Sequence, residues 1–207
     1  MQEIIFATAN EGKMKEIRMI LADLVLDGQP VSIRSMKEAG INVPILENGD
    51  SFAENAEIKA KAVAAFAEGA IVLADDSGLE IDYLGGEPGI YSARYLGEDT
   101  PYSVKNQNLI DRLAGVPDQD RTARFVCAIA CVLPDGRLFT KQATIEGRIG
   151  YEERGANGFG YDPIFMVPEY GRSTAELCEE EKNEISHRGK ALQAVKEELR
   201  RYAGERK

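Results

Sequence analysis

Ile4-Ile5-Phe6-Ala7-Thr8-Ala9-Asn10-Glu11-Gly12-Lys13 is the stretch on which the fold depends. The first four residues are an apolar run suited to a buried strand. Thr8 to Gly12 break it, and Met14, Ile17, Ile20 and Leu21 then recur at helical spacing from Lys13 onward. The pattern predicts strand, loop, helix. Working outward, Ala70 to Ala74 reads as a second buried strand that stops at Asp75-Asp76-Ser77-Gly78. Before it, Ser51-Phe52-Ala53-Glu54 has the form of a capping box, with Glu54 reaching back to the serine N–H. An Ala-rich helix runs from there to about Glu68, and Gly69 ends it. Residues 27 to 50 read mostly as loop, with a strand-like piece at Val31-Ser32-Ile33. Thr100-Pro101 caps and opens another helix, which Gly115 closes. Phe125 to Leu133 and Leu138 to Ile145 form a strand pair around Pro134-Asp135-Gly136. Leu192, Val195, Leu199 and Tyr202 make one stripe of a last helix. Strands alternating with helices, plus that pair, predict an α/β fold with a mixed sheet, in one domain over 1–207.

Composition narrows the function. Of 207 residues, 43% are hydrophobic and 29% charged, so the chain can bury a core and is not a disordered or fibrous sequence. The longest apolar run, Phe125 to Leu133, has nine residues, where a membrane span needs about 18. Lys and Arg number 25 against 35 Asp and Glu, a net charge of −10. That balance disfavours nucleic acid as a partner, because neutralising phosphates takes a basic surface. Three cysteines make no disulfide framework, and the N-terminus has no export signal. A cytoplasmic protein is expected.

Open α/β sheets bind ligands beyond the carboxyl ends of their strands, which draws attention to the residues just past each strand. Thr8-Ala9-Asn10-Glu11-Gly12-Lys13 enters a helix, and helix-start N–H groups with a lysine suit a phosphate, though the run is not a Walker A loop. As adjacent strand residues, Asp75 and Asp76 point to opposite faces, so one at most enters a given site. Cys127 and Cys131 share a strand face and read as core, and His187 is the single histidine. A carboxylate-only set suits a hard cation, so Mg²⁺ is the expected metal. In Gly155 to Phe165, glycines permit close backbone approach, and Phe159 and Tyr161 suit stacking on a flat ligand. Glu181 to Lys190 gathers basic donors and the histidine, while Glu179 to Glu181 reads as a solvated helix start.

Six motifs occur in order: Thr8-Ala9-Asn10-x-x-Lys13-x-x-Glu16, Ser51-Phe52-x-Glu54-Asn55-Ala56, Ala74-Asp75-Asp76-Ser77-Gly78-Leu79, Pro88-Gly89-Ile90-Tyr91-Ser92-Ala93-Arg94-Tyr95, Gly158 to Phe165, and Ser186 to Leu192. With them the chain resembles, over about residues 2 to 200, the inosine triphosphate pyrophosphatases. That family hydrolyses ITP, dITP and XTP to the monophosphate and pyrophosphate. Ala9 stands where relatives often carry glycine. The resemblance implies a mixed central sheet flanked by helices, with two lobes and a cleft between them, and a homodimer whose interface lies near Pro88 to Tyr95. It implies that Glu47 and Asp76 hold Mg²⁺ and that Asp76 is the proton acceptor for the attacking water. Thr8, Ala9, Asn10, Glu11, Gly12, Lys13 and Lys182 would grip the triphosphate, with Lys59 and Ser77 as further substrate contacts. Phe159, Gly160, Tyr161, Asp162, His187 and Arg188 would hold the base. A donor-only guanidinium at Arg188 suits the 6-keto oxygen of hypoxanthine or xanthine and meets the amino group of adenine with like polarity. Two rivals are an enzyme for pyrimidine or modified nucleotides, against which Ser186 to Arg188 stand, and a non-catalytic nucleotide sensor, against which Glu47 and Asp76 stand.

Overall fold

The computed structural model describes residues 2–205. In it β1 (Glu3–Phe6) runs through a short loop into α1 (Glu11–Leu21). The helix starts two residues earlier than the apolar spacing predicts, because the Asn10 side chain caps it by accepting the Lys13 N–H at 3.0 Å. Residues 27 to 50 are less loop-like than expected: β2 (Val25–Leu26) and β3 (Gln29–Pro30) form a hairpin, and β4 (Ser32–Ser35) pairs with β1. Next come α2 (Phe52–Ala64), β5 (Ile71–Ile81), α3 (Tyr102–Arg112), β6 (Thr122–Val132), β7 (Leu138–Ile149), β8 (Phe165–Val167), β9 (Arg172–Ser173), α4 (Glu179–Ile185) and α5 (His187–Glu205).

The main sheet has the strand order β4-β1-β5-β6-β7-β8-β9. β1 is parallel to both β4 and β5, whereas β8 is antiparallel to β7 and β9, so the sheet is mixed. Helices flank it. No helix among the described residues is long and apolar enough to cross a membrane.

The chain divides into two compact units. The first comprises residues up to 76, 127–143 and 188 onward. Its core packs Ile4 and Phe6 of β1, Ile71 and Leu73 of β5, and Cys127, Ile129 and Cys131 of β6 with Met14, Ile17 and Leu21 of α1 and the Leu192–Val195–Leu199–Tyr202 stripe of α5. The stripe and both core cysteines are as the sequence predicts, and Cys178 is exposed. The second unit comprises residues 77–126 and 144–187. Its core packs Leu79 and Ile81 with Leu109 and Leu113 of α3, Phe125 of β6, Ile145 and Ile149 of β7, and Tyr161 and Phe165.

Three local expectations change. β5 does not stop at Asp75 but continues through Asp76 and Ser77 to Ile81, because the aspartates find cations inside the first unit and need no turn to reach water. Thr100 does not cap α3; its hydroxyl donates to Leu96 O, and Pro101 holds the cap position. Ser51 does cap α2, accepting from the Glu54 N–H at 3.2 Å, but Glu54 accepts in return from Asp50 N–H rather than from Ser51.

Candidate active site

In the first unit, β1 delivers Thr8, Ala9 and Asn10 to the N-terminus of α1. Thr8 Oγ1 accepts the Asn10 N–H at 3.2 Å, shaping the turn. Ala9, Asn10 and Glu11 are exposed and Gly12 is half-buried, so the positive end of the helix dipole faces open space. One turn in, Lys13 Nζ reaches back to Asp75, 3.1 Å from Oδ1 and 3.0 Å from Oδ2.

Strand alternation sends the two aspartates apart, as the pleat requires. Asp75, 1% exposed, also takes Arg188 Nη2 at 3.2 Å, and Arg188 Nη1 lies 2.6 Å from Glu16 Oε2. Burial alone would raise the Asp75 carboxyl, but Lys13, Arg188 and Lys59 together hold it well below the usual carboxylate range. Burial likewise opposes the Arg188 charge, and Asp75 and Glu16 outweigh it. Asp75 is therefore a permanent anion and Arg188 a permanent cation.

Asp76 meets a different environment. Its Oδ1 accepts from Lys59 Nζ at 3.1 Å, and the same ammonium lies 2.8 Å from Glu47 Oε2. Its Oδ2 is buried with no hydrogen-bond partner among the described residues. Burial raises the Asp76 carboxyl, with Glu47 adding to the effect and Lys59 opposing it. Burial would lower Lys59, yet Asp76, Asp75 and Glu47 keep it raised and charged. The described residues contain no group of three or more His, Cys, Asp and Glu side chains arranged to hold a metal. Two carboxylates, one oxygen unpartnered, nevertheless fit Mg²⁺, which takes one or two protein carboxylates and fills its remaining positions with water and substrate phosphates.

The second unit builds a turn around Asp162. Asp162 Oδ2 accepts the Phe159 N–H at 2.8 Å and Lys182 Nζ at 2.7 Å, and Oδ1 accepts the Thr174 hydroxyl at 2.9 Å. Gly158 is required here, because its φ is +74° and a Cβ would lie 2.2 Å from Asp162 Oδ2. The Lys182 ammonium stands 4.9 Å from the centre of the half-buried Phe159 ring. Tyr161 is buried, its hydroxyl donating to Ser92 O at 2.7 Å and its ring meeting Tyr102 edge-on. Gly160 O accepts from Asn106 Nδ2 at 3.3 Å. His187, the first residue of α5, stacks on Phe125 with ring centroids 4.9 Å apart. Ser77 comes directly after Asp76 in β5 and is half-buried.

The residues singled out from the sequence thus gather into three groups: Lys13 with Arg188 through Asp75, Glu47 with Asp76 through Lys59, and Phe159 to Asp162 with Lys182. His187 packs on Phe125 within the second unit. Glu16, Asp75 and Ser92 stand in the sequence motifs, but the sequence assigned none of them a role in the site. Glu16 lies three residues from Lys13, close on the helix surface, and that spacing was the available signal.

The class this defines is a mixed α/β fold whose first unit sets an exposed helix N-terminus, at Ala9 to Glu11, and the paired aspartates Asp75 and Asp76 on adjoining elements. The Ham1 family model matches residues 4–198, and the chain belongs to the Ham1 family. It is 45% identical to the dITP/XTP pyrophosphatase of Exiguobacterium sibiricum over 203 residues, which is 98% of this chain and all of that one. Among solved structures, the Ham1 protein of Staphylococcus aureus is similar at 38% identity with a TM-score of 0.82, covering 96% of this chain and 98% of the other. The nucleoside-triphosphatase / dITP/XTP pyrophosphatase of Mycobacterium abscessus matches at 36% identity and a TM-score of 0.72, over 94% and 98%.

Proposed function

We propose that this protein hydrolyses dITP, XTP and ITP to the nucleoside monophosphate and pyrophosphate, as a single domain over 1–207 working in the cytoplasm as a homodimer. The near-full-length similarity to dITP/XTP pyrophosphatases supports the substrate class. The observation that carries the catalytic reading is the Asp76 carboxylate, one oxygen on Lys59 and the other buried and unpartnered.

The Thr8–Lys13 loop receives the triphosphate, its backbone N–H groups and helix dipole matched to phosphate oxygens. Glu47 and Asp76 hold Mg²⁺, which when bound offsets negative charge on the phosphate oxygens. Asp76 accepts a proton from the attacking water. The water oxygen bonds to the α-phosphorus, the α–β bridging bond breaks, and pyrophosphate leaves with the bond electrons. Lys59 and Ser77 contact the phosphate end.

Phe159 supplies the ring for the purine. Asp162 fixes that ring's backbone, Gly160, Tyr161 and His187 complete the base-holding set, and Lys182, paired with Asp162, is a further triphosphate contact. Arg188, clamped by Glu16 and Asp75, presents a guanidinium that cannot accept a hydrogen bond, which favours a 6-keto over a 6-amino purine. Tyr91 within the Pro88–Tyr95 segment and Leu96 just after it are exposed, which supports the homodimer.

The test is to incubate the purified protein with Mg²⁺ and each of dITP, XTP, ITP, ATP and a pyrimidine triphosphate, and to measure pyrophosphate and orthophosphate separately. Pyrophosphate from the first three, well above the rest, is expected. Orthophosphate alone, or no product, overturns the reading.

A further inference from the structure

Glu47 sits in a segment with little to hold it. Residues 41 to 49 have no regular secondary structure, and the described residues 42–48 make no backbone–backbone hydrogen bond. The segment is fastened just beyond Glu47, where the Gly49 N–H donates to Asn55 Oδ1 at 2.9 Å and the Asp50 N–H donates to Glu54 Oε2 at 2.7 Å. Asn55 is 1% exposed and lies on α2 one turn before Lys59, the residue that bonds Glu47 itself. Asn55 and Lys59 therefore hold the loop from the same helical face, at Gly49 and at Glu47.

Two further observations point to Asn55 as a dedicated fastening. The loop approaches the helix so closely that a Cβ on Gly49 would lie 2.7 Å from Glu54 Cβ and 3.0 Å from Asn55 Oδ1. The Asn55 amide also carries an unsatisfied donor: Nδ2 is buried with no partner among the described residues. Gly49 N–H, a donor, fixes Oδ1 toward the loop, so turning the amide over would lose the one bond it makes. An apolar side chain would fill this buried place without burying an unpaired N–H. What the fold gains from the amide is the grip on Gly49.

We propose that Asn55 is a positioning residue for Glu47: through the Gly49 N–H it holds the Glu47 loop against α2, so that the Glu47 carboxylate stays beside Lys59 and Asp76 for a divalent cation. The inference rests on the reading of Glu47 and Asp76 as the metal pair. It is tested on the full-length protein without substrate, using Mn²⁺ as an electron-paramagnetic probe and amide hydrogen exchange at Gly49. Asn55→Ala is expected to speed Gly49 exchange at least tenfold and to raise the Mn²⁺ dissociation constant at least fivefold, with the Mg²⁺ concentration for half-maximal pyrophosphate release rising in parallel. Asn55→Asp keeps an acceptor of the same reach, so Gly49 protection returns and Mn²⁺ affinity is no weaker than in the parent. Gly49→Ala, which pushes the loop off the helix with Asn55 intact, weakens Mn²⁺ as Asn55→Ala does, and it carries the test if Asn55→Ala fails to fold. Parental Mn²⁺ affinity in Asn55→Ala and Gly49→Ala overturns the proposal alone. Absence of Mn²⁺ binding in the parent protein overturns the metal reading and this inference with it.

Discussion

Around Asp75, two cations face two carboxylates; around Asp76, one cation faces two. Lys13 and Arg188 pair with Asp75, and Arg188 also with Glu16, inside the first unit. Lys59 pairs with both Glu47 and Asp76, and one buried Asp76 oxygen has no hydrogen-bond partner among the described residues. Adjacent residues of one strand, identical in chemistry, are thus committed differently. Lys13 and Arg188 are both tied to Asp75, whereas the Asp76 carboxylate shares a single ammonium with Glu47. A buried carboxylate oxygen without a partner is costly, and groups perturbed in this way cluster at functional sites.

The sharpest way to break the comparison is Asp76→Asn. It should lower pyrophosphate release from ITP by about 10²–10⁴-fold, the usual contribution of a positioned proton acceptor. The urea midpoint should stay near that of the parent, because the lost charge was disfavoured by burial. Asp75→Asn should act in the opposite sense. Removing one partner from a buried ion cluster costs about 3–5 kcal/mol of unfolding free energy, read from urea titration at pH 7. The sign with pH is set by the depressed Asp75 carboxyl. Its stabilisation is complete above its ordinary value of 3.8 and is lost as pH falls below that, so the gap between parent and Asp75→Asn should narrow there.

Arg188→Lys sharpens the comparison further. It keeps the charge but loses the fork that spans Asp75 and Glu16, so KM for ITP should rise about tenfold and the ITP-over-ATP ratio should shrink, by the difference between a planar donor pair and a point charge. An unchanged ratio removes Arg188 from base selection. The smallest effect is thermal. Mg²⁺ without nucleotide should raise the melting temperature of the parent by about 2–4 °C, the shift that about 1 kcal/mol of binding gives a chain of this size, and should leave Asp76→Asn unmoved.

Much of this was legible in the sequence. The Ile4–Ala7 run, its polar break and the Met14–Leu21 spacing identify β1 and α1, and the Leu192–Tyr202 stripe identifies the core face of α5. Each is a periodic signal carried by neighbouring residues. The continuation of β5 was not legible. Two aspartates ahead of Ser-Gly have the local chemistry of a turn, and what keeps them in a strand comes from Lys13, 62 residues away, and Arg188, 113 residues away. The same distance hid the division of labour between Asp75 and Asp76, since alternation separates their faces without saying which face carries which cations. Tyr161 shows the converse case. An aromatic between glycines suggests stacking, but its hydroxyl is tied to Ser92 O, a partner 69 residues away, which leaves Phe159 as the more accessible ring of the turn.

The ammonium of Lys59, lodged between Glu47 and Asp76, is a built-in placeholder. Two acids brought this close would repel one another with no cation between them. With a lysine already in the gap, the polypeptide carries its own counter-charge, and keeping the two side chains together does not wait on a second cation.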